Sequence, residues 1–534
     1  MSAFAGLGAT LSLALRRDRV RLPGIILGVS GWLGLLVISL AGLYPDHESR
    51  QGLALTIDNP GSTFLIGPIY HSHDYNLGVL IGHETLVLSS IVVALFSILT
   101  TVRHTRAEEE SGRAEMIRAN PAGRHVGLAS ALVMATLLNL GVFAGTLSTL
   151  LIIGDDAVTV AGSLTYAAAL TSIGLAFAGV AAVAAQFVST SRAATGLAGA
   201  VLAGSFLLRG IADVSDGSDE LTWLSPLGWV QRTQPWADNR AWPLVLCLAT
   251  AAVSAIAAGW LSTRRDLGAS LRAPSVGRAS ARGFLVTPFG LSARLNRGNG
   301  LGWLIGLAVF ASAYGPILGD ADNFLAQMPI LAEFMPSASD DGVRLFASII
   351  VALGALIMTV PALQVITRMA ADERDGRSTA LLANGASRAS WFGWNIALSL
   401  IIATLLAASF GLVLGVVGAR ATGDDSLGAD IAVGALGYLG AIAVAVGVCA
   451  FIVGWAPRLA GAAWFVPGLG LLVMYFAELL EWPNWLRWLS PFDHVAARPG
   501  VTDSDLSSQL LLWATAAVLI ALGGIGYRRR HLGQ

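Results

Sequence analysis

The sequence predicts an all-α polytopic membrane protein of about twelve transmembrane helices, built as two tandem, parallel six-helix halves. Three observations predict it. Side chains are 55% hydrophobic and only 13% charged over 534 residues, outside the range of a soluble globular chain. Apolar runs of about 20 residues, enough to cross a hydrocarbon core of roughly 30 Å, recur along the whole length. Two polar signatures each appear twice, about 264 residues apart.

In chain order, the first six runs lie near residues 22–43, 78–102, 127–153, 161–188, 194–211 and 241–261. The second six lie near 301–318, 342–366, 391–417, 429–454, 460–480 and 509–526. An even number of spans returns each half to its starting side, so the halves are parallel repeats. A Leu- and Arg-rich amphipathic segment precedes each half, at 11–19 with Arg16, Arg17 and Arg19, and at 289–297 with Arg294 and Arg297. Such a segment suits an interfacial helix with its arginines toward anionic headgroups, or serves simply as a topology-setting cluster. The expected domains are therefore a first half at 1–262, an Arg-rich cytoplasmic linker with an interfacial helix at 263–299, and a second half at 300–534. The seven arginines of the linker, mixed with Ser, Gly and Pro, argue against a folded domain there.

Charge sets the orientation. With a cytoplasmic N-terminus, 25 of the 33 basic residues fall on the cytoplasmic side and 25 of the 34 acidic residues on the other. That is the positive-inside pattern, and it places both termini in the cytoplasm. The formal net charge of −1 hides this separation and gives no sign of a nucleic-acid partner. No cleavable signal peptide is expected, because the first span is too long and lacks a small-residue cleavage site. Cys247 and Cys449 fall inside spans and read as core thiols.

Every basic residue is arginine. A Walker A phosphate loop needs a lysine, so an ordinary one is excluded and ATP hydrolysis would have to come from another polypeptide. No nucleophile–base pair stands out, and most of the 61 glycines fit close helix packing. A transport subunit is expected rather than an enzyme, with no catalytic, cofactor or metal residues. His71, His73, Asp74, His83 and Glu84 match no metal-ligand spacing and read as an external polar loop. Arg209 with Asp213, and Glu478 with Glu481, end their spans and read as solvated helix ends.

The first repeated signature is a charged loop after the second span of each half. Glu108-Glu109-Glu110-Ser111-Gly112-Arg113, with Asn120 and Arg124, recurs as Asp372-Glu373-Arg374-Asp375-Gly376-Arg377, with Asn384 and Arg388. The acids suit a helix first turn, the glycine a tight chain path, and Met116-Ile117 or Leu381-Leu382 an apolar knob. Asn120-Pro121 and Asn384-Gly385 are stop signals. The second signature, Trp223-Leu224-Ser225-Pro226, returns unchanged as Trp488-Leu489-Ser490-Pro491 between the fifth and sixth spans. Its tryptophans suit the membrane interface and its prolines a chain break.

The loop sequences resemble the cytoplasmic loop of ABC-2-type exporter permeases. Together with the twelve-span layout and the extended tag Trp223 to Gln231, they resemble the actinobacterial polyketide-antibiotic (tetronasin-type) exporter branch over essentially the whole chain. The resemblance implies short cytoplasmic coupling helices that dock two copies of a separate ATPase subunit, which would hold ATP and Mg. It assigns that coupling role to Glu108, Glu109, Gly112, Arg113, Met116 and Ile117, and to Asp372, Glu373, Gly376, Arg377, Leu381 and Leu382. It further implies an outer gate shaped at Trp223, Pro226, Trp488 and Pro491. The cargo would be hydrophobic or amphiphilic, expelled across a bacterial plasma membrane, with lipid or glycan export as another cargo class. One departure is that Gly385 stands where the first copy has Pro121. A proton-coupled secondary transporter shares the twelve spans, and Glu373-Arg374-Asp375-Gly376-Arg377 approaches the major-facilitator loop motif. The first copy lacks that motif's leading arginine, however, and no acidic proton carrier stands out in mid-membrane.

Overall fold

The computed structural model describes residues 2–57, 60–214, 219–271, 280, 283–320, 342–378, 383, 387–477, 482–496, 499 and 506–530. Among these, twelve helices are long and apolar enough to cross a membrane, and the chain is an all-α, multi-pass membrane protein. It divides into two compact units, Met1–Gly277 and Arg278–Gln534.

In the first unit a short helix, Leu7–Arg17, precedes the spans. Spans 1 to 6 are Arg21–Leu43, Leu77–His104, Val126–Ile152, Val160–Phe187, Ser191–Val214 and Leu244–Ser262. Spans 2 and 4 form the centre, with 67% and 72% of their apolar stretches buried, against 22% for span 1 and 11% for span 6. The composition of span 4 explains this, because its Ala, Gly and Ser residues let neighbouring backbones approach closely. A Cβ on Gly174 would collide with Asn139 of span 3, and one on Gly179 with Ser254 and Ala251 of span 6. Polar side chains then lock the contacts. Asn139 donates to Ser97 Oγ at 2.9 Å, and Tyr166 donates to Ser89 Oγ at 3.0 Å while its hydroxyl lies 2.7 Å from that of Thr85.

In the second unit, spans 7 to 9 are Pro288–Tyr314, Gly342–Arg374 and Arg388–Thr422. Span 10 runs as Asp425–Gly437 and Leu439–Trp455, joined at Tyr438. Span 11 starts as a tight turn of 3-10 helix, Pro457–Trp464, and continues as Phe465–Phe476. Span 12 is Leu506–Arg529. Spans 8 and 10 are each 67% buried, so the second and fourth helices are central in both units. The amphipathic segment 289–297 is not a separate helix here. It is the first part of span 7, started by Thr287, whose hydroxyl caps Gly290 N, and by Pro288.

Two expectations from sequence change. His83, inside the run read at 78–102 but grouped with the external polar loop, is buried within span 2, its side chain only 5% exposed. It meets the Tyr75 hydroxyl at 2.7 Å and the Gly67 carbonyl at 3.0 Å. Arg209 and Asp213 are buried, not solvated. The Arg209 guanidinium donates to Asp213 at 3.1 Å, to Gln231 at 3.3 Å and to the Leu65 carbonyl at 3.1 Å, because Pro60–Leu65 and Pro226–Gln231 fold over the end of span 5. Glu478 and Glu481 lie outside the described residues.

Spans 10 and 12 meet at Gly454 and Gly523, where a Cβ on either residue would fall on the facing backbone. Gly454→Val should therefore destabilise the second unit by about 1–3 kcal/mol through overpacking. Thermal unfolding in a fixed detergent checks this; an unchanged midpoint would refute the close approach.

Candidate functional site

Both copies of the charged loop fold around a left-handed glycine. In the first, span 2 ends at His104 and a single turn follows, Arg106–Glu110. Gly112 then turns the chain with φ +73° and opens the short helix Arg113–Arg118. In the second, span 8 runs unbroken to Arg374, and Gly376 turns the chain with φ +74°. A Cβ at either glycine would meet open space, so the backbone conformation alone calls for glycine. One expected docking helix is thus a pair of short helices in the first copy. In the second copy the acids end a helix instead of beginning one. Leu381, Leu382, Asn384 and Gly385 lie outside the described residues.

The acids act as tethers. Each copy spans its glycine with the same pair: Arg113 Nε donates to Glu108 at 2.8 Å, and Arg377 Nε donates to Asp372 at 2.8 Å. These hydrogen bonds hold both guanidinium groups above their ordinary pKa. The next acid in each copy reaches an arginine just beyond the sixth helix of its own unit. Arg265 grips both oxygens of Glu109, at 2.6 and 2.8 Å. Arg530 grips both oxygens of Glu373. A planar guanidinium matches a carboxylate in this two-point way, which fixes orientation as well as distance.

The first copy carries more. Arg106, 1% exposed, donates to Glu109 at 2.8 Å and to the carbonyls of Ala185 and Ala269 at 3.0 Å each. It thereby ties the loop to the end of span 4 and to the segment after span 6. Arg265 Nε also reaches Gln186 at 2.7 Å. Glu110 accepts from the backbone N of Ser191 at 2.9 Å and from its hydroxyl at 2.6 Å, at the start of span 5. Arg17 pairs with Glu108 and brings in the N-terminal helix. Asp18, at the end of that helix, lies 2.7 Å from His104 Nε2 and 3.1 Å from Arg103. Burial pushes the Asp18 carboxyl up, but the bond to His104 and the charges of His104 and Arg103 outweigh it and hold it below the usual carboxylate range. Backbone bonds from Gly123 to Ala5 and from His125 to Ala3 fasten the loop exit to the turn that precedes the same helix.

Met116 projects as the exposed tip, 64% accessible, with Ile117 half-buried behind it. Arg106, Arg265 and Arg530 were not among the sequence candidates. The signal existed: Arg265 and Arg530 are themselves one repeat length apart.

The second signature is an elbow in both units. Asp219–Thr222 leads to Trp223, and Pro226 begins a second short helix whose cap is Ser225. Likewise Asn484–Arg487 leads to Trp488, and Pro491 begins the 3-10 turn Pro491–His494. Trp223 stacks on Trp242 with ring centres 4.9 Å apart, whereas Trp488 is 73% exposed. Among the described residues no three His, Cys, Asp or Glu side chains converge as a metal site.

The family model described as the multidrug efflux system permease Rv1217c, C-terminal domain, matches this chain twice, at residues 7–264 and 285–528. The chain is also similar to the multidrug efflux system permease protein Rv1217c of Mycobacterium tuberculosis. The two are 34% identical over 542 residues, covering 99% of this chain and 96% of that protein.

Glu109→Gln should release two arginines at once, leaving buried Arg106 without its carboxylate. A loss of about 3 kcal/mol is expected, with faster hydrogen exchange at residues 185–187 and 265–271. The exposed Glu115→Gln should stay within about 0.5 kcal/mol of the parent. Equal behaviour of the two variants would reject the tether.

Proposed function

The chain belongs to the family of the multidrug efflux system permease Rv1217c, and from that premise we propose that it is the transmembrane subunit of an ATP-driven ABC-2-type exporter. Two copies of a separate ATPase would bind the two loops and hydrolyse Mg-bound ATP, this chain supplying no lysine for a phosphate loop. Their closure would be passed through the loops to the spans and switch access to the cargo path, a rigid-body change. The cargo is a hydrophobic or amphiphilic compound, as the efflux relatives and the shortage of charged side chains suggest. The membrane is a bacterial plasma membrane with both chain termini in the cytoplasm, as the arginine asymmetry favours. The likeness to the polyketide-antibiotic branch belongs to the same proposal.

One observation carries the reading: the duplicated clamp. In each unit an acid–arginine pair closes over a left-handed glycine, while the neighbouring acid holds an arginine beyond the unit's last helix. A solvated loop that only enforced topology would need neither bond. A loop that transmits force needs both, because a push on its surface must move helices rather than bend the loop. Met116 and Ile117 then serve as the contact point, with Glu108, Glu109, Gly112 and Arg113 as the stiffening; Asp372, Glu373, Gly376 and Arg377 repeat that stiffening. Leu381 and Leu382 take the contact role in the second copy by sequence. The elbows at Trp223–Pro226 and Trp488–Pro491 are proposed as the outer gate.

The complex should purify with one permease chain to two ATPase chains. Gly112→Val with Gly376→Val forces β-branched residues to positive φ, at a cost of about 1–2 kcal/mol each. Export by the reconstituted complex should fall by about tenfold or more while ATP hydrolysis persists, since roughly 1.4 kcal/mol corresponds to a factor of ten. Full export by the double variant, or transport-competent permease without any ATPase, would overturn the assignment.

A further inference from the structure

A cavity of about 310 Å³ opens beneath the first loop. That is the lower end of the size range of small-molecule sites. Its walls come from the N-terminal helix at Leu13 and Ala14, the loop helix at Ile117, and the start of span 3 at Val126 and Leu128. The interior is therefore largely apolar. The rim is not: five arginines, Arg17, Arg113, Arg118, Arg124 and Arg265, line the cavity against two glutamates, Glu108 and Glu109.

Both glutamates are already engaged. Glu108 holds Arg17 and Arg113, and Glu109 holds Arg265 and Arg106. Among the described residues no carboxylate lies within ion-pair distance of Arg118 or Arg124. Arg118 instead donates to the Arg124 backbone carbonyl at 3.3 Å, and both residues line the cavity. Two uncompensated guanidiniums thus stand over an apolar pocket at the end of a transmembrane bundle. Basic pockets between helices at that depth select anionic head groups, and the apolar wall selects a hydrocarbon body.

We propose that this cavity binds an amphiphile with an anionic head, the head on Arg118 and Arg124 and the body against Leu13, Ile117 and Val126. The bound molecule bridges the N-terminal helix, the loop and span 3, and so governs how firmly the loop is held. Two sources offer that chemistry: an acidic membrane lipid, or a soluble anionic amphiphile of the kind an efflux permease meets. The assignment does not depend on an ATPase, so it stands or falls apart from the docking role of the loop.

The test uses the purified full-length chain in nonionic detergent, without any ATPase. Lipid retention is read by native mass spectrometry, and binding of 1-anilinonaphthalene-8-sulfonate by fluorescence. Two variants probe the site. Arg118→Gln with Arg124→Gln removes the charge at exposed positions. Gly127→Phe fills the cavity from a helical position where a Cβ meets open space, so the helix itself is undisturbed. Dioleoyl phosphatidylglycerol should be retained about tenfold more tightly than dioleoyl phosphatidylcholine, and both variants should abolish the preference. That outcome identifies a membrane lipid as the occupant. No lipid preference, but fluorophore binding that both variants weaken about tenfold, identifies a soluble anionic amphiphile. If neither probe distinguishes parent from variants that elute as folded protein, the site does not exist.

Discussion

A carboxylate held at two points by an arginine from the far end of the same unit is the interaction on which this architecture turns. Six membrane helices packed through Ala, Gly and Ser have tight contacts but weak directional preference, since lipid offers apolar side chains as good an environment as protein does. Something must set which helix ends move together. Glu109 with Arg265, and Glu373 with Arg530, join the second helix of each unit to the segment after its sixth. The left-handed turns at Gly112 and Gly376 make the geometry possible, because they fold Arg113 and Arg377 back onto the preceding acids. Remove the turn and Glu108 and Asp372 lose their inner partners; remove the outer arginine and the second helix loses its two-point link to the segment after the sixth.

The core supports this arrangement by being rigid where the loop attaches. The second and fourth helices are the most buried in both units, and the loop grows out of the second. In the first unit Arg106 reaches the end of the fourth as well, through the Ala185 carbonyl. Displacing the loop therefore displaces the two central helices, while spans 1 and 6 are mostly exposed. An uncompensated arginine so deeply buried would be costly; its carboxylate and two carbonyls make it a fixed strut instead.

Much of this was legible in the sequence, and the limits have physical causes. The twelve spans were readable because lipid demands continuous apolar runs. The duplicated glycine was readable because the motif repeats while its surroundings diverge. What each acid holds was not readable: Arg265 lies 156 residues from Glu109, and the first-turn role given to Glu109 was the local explanation. The local explanation fails outright for Asp372 and Glu373, which close span 8. Negative charge at a helix C-terminus is unfavourable, and Arg368, Arg377 and Arg530 offset it. Arg209 and Asp213 were read as solvated for the same reason, since the covering segments at 60–65 and 226–231 come from elsewhere in the chain.

The two loops share a plan but not a stiffness. Arg106 corresponds by the repeat to Ala370, and Glu110 to Arg374, so the second copy has neither the strut to its fourth helix nor the acid that holds the start of its fifth. Its compensation is a continuous helix: span 8 reaches the glycine without the break that Thr105 introduces in the first copy. A broken helix cross-braced through Arg17, Arg106, Arg265 and Glu110 resists bending in several directions. An unbroken helix transmits an axial push directly, and among the described residues Glu373 with Arg530 is its clamp to the segment after the sixth helix. Under the proposed function, two identical ATPase subunits pushing on these loops would drive unequal motions from equal forces. The cavity lies on the braced side, where the contacts of Arg17 and Glu108 leave room for a ligand to add or withdraw one more brace. Under that proposal, asymmetry of this kind would give a duplicated permease something that a homodimer of one half lacks: a half that can be tuned separately from the half that drives.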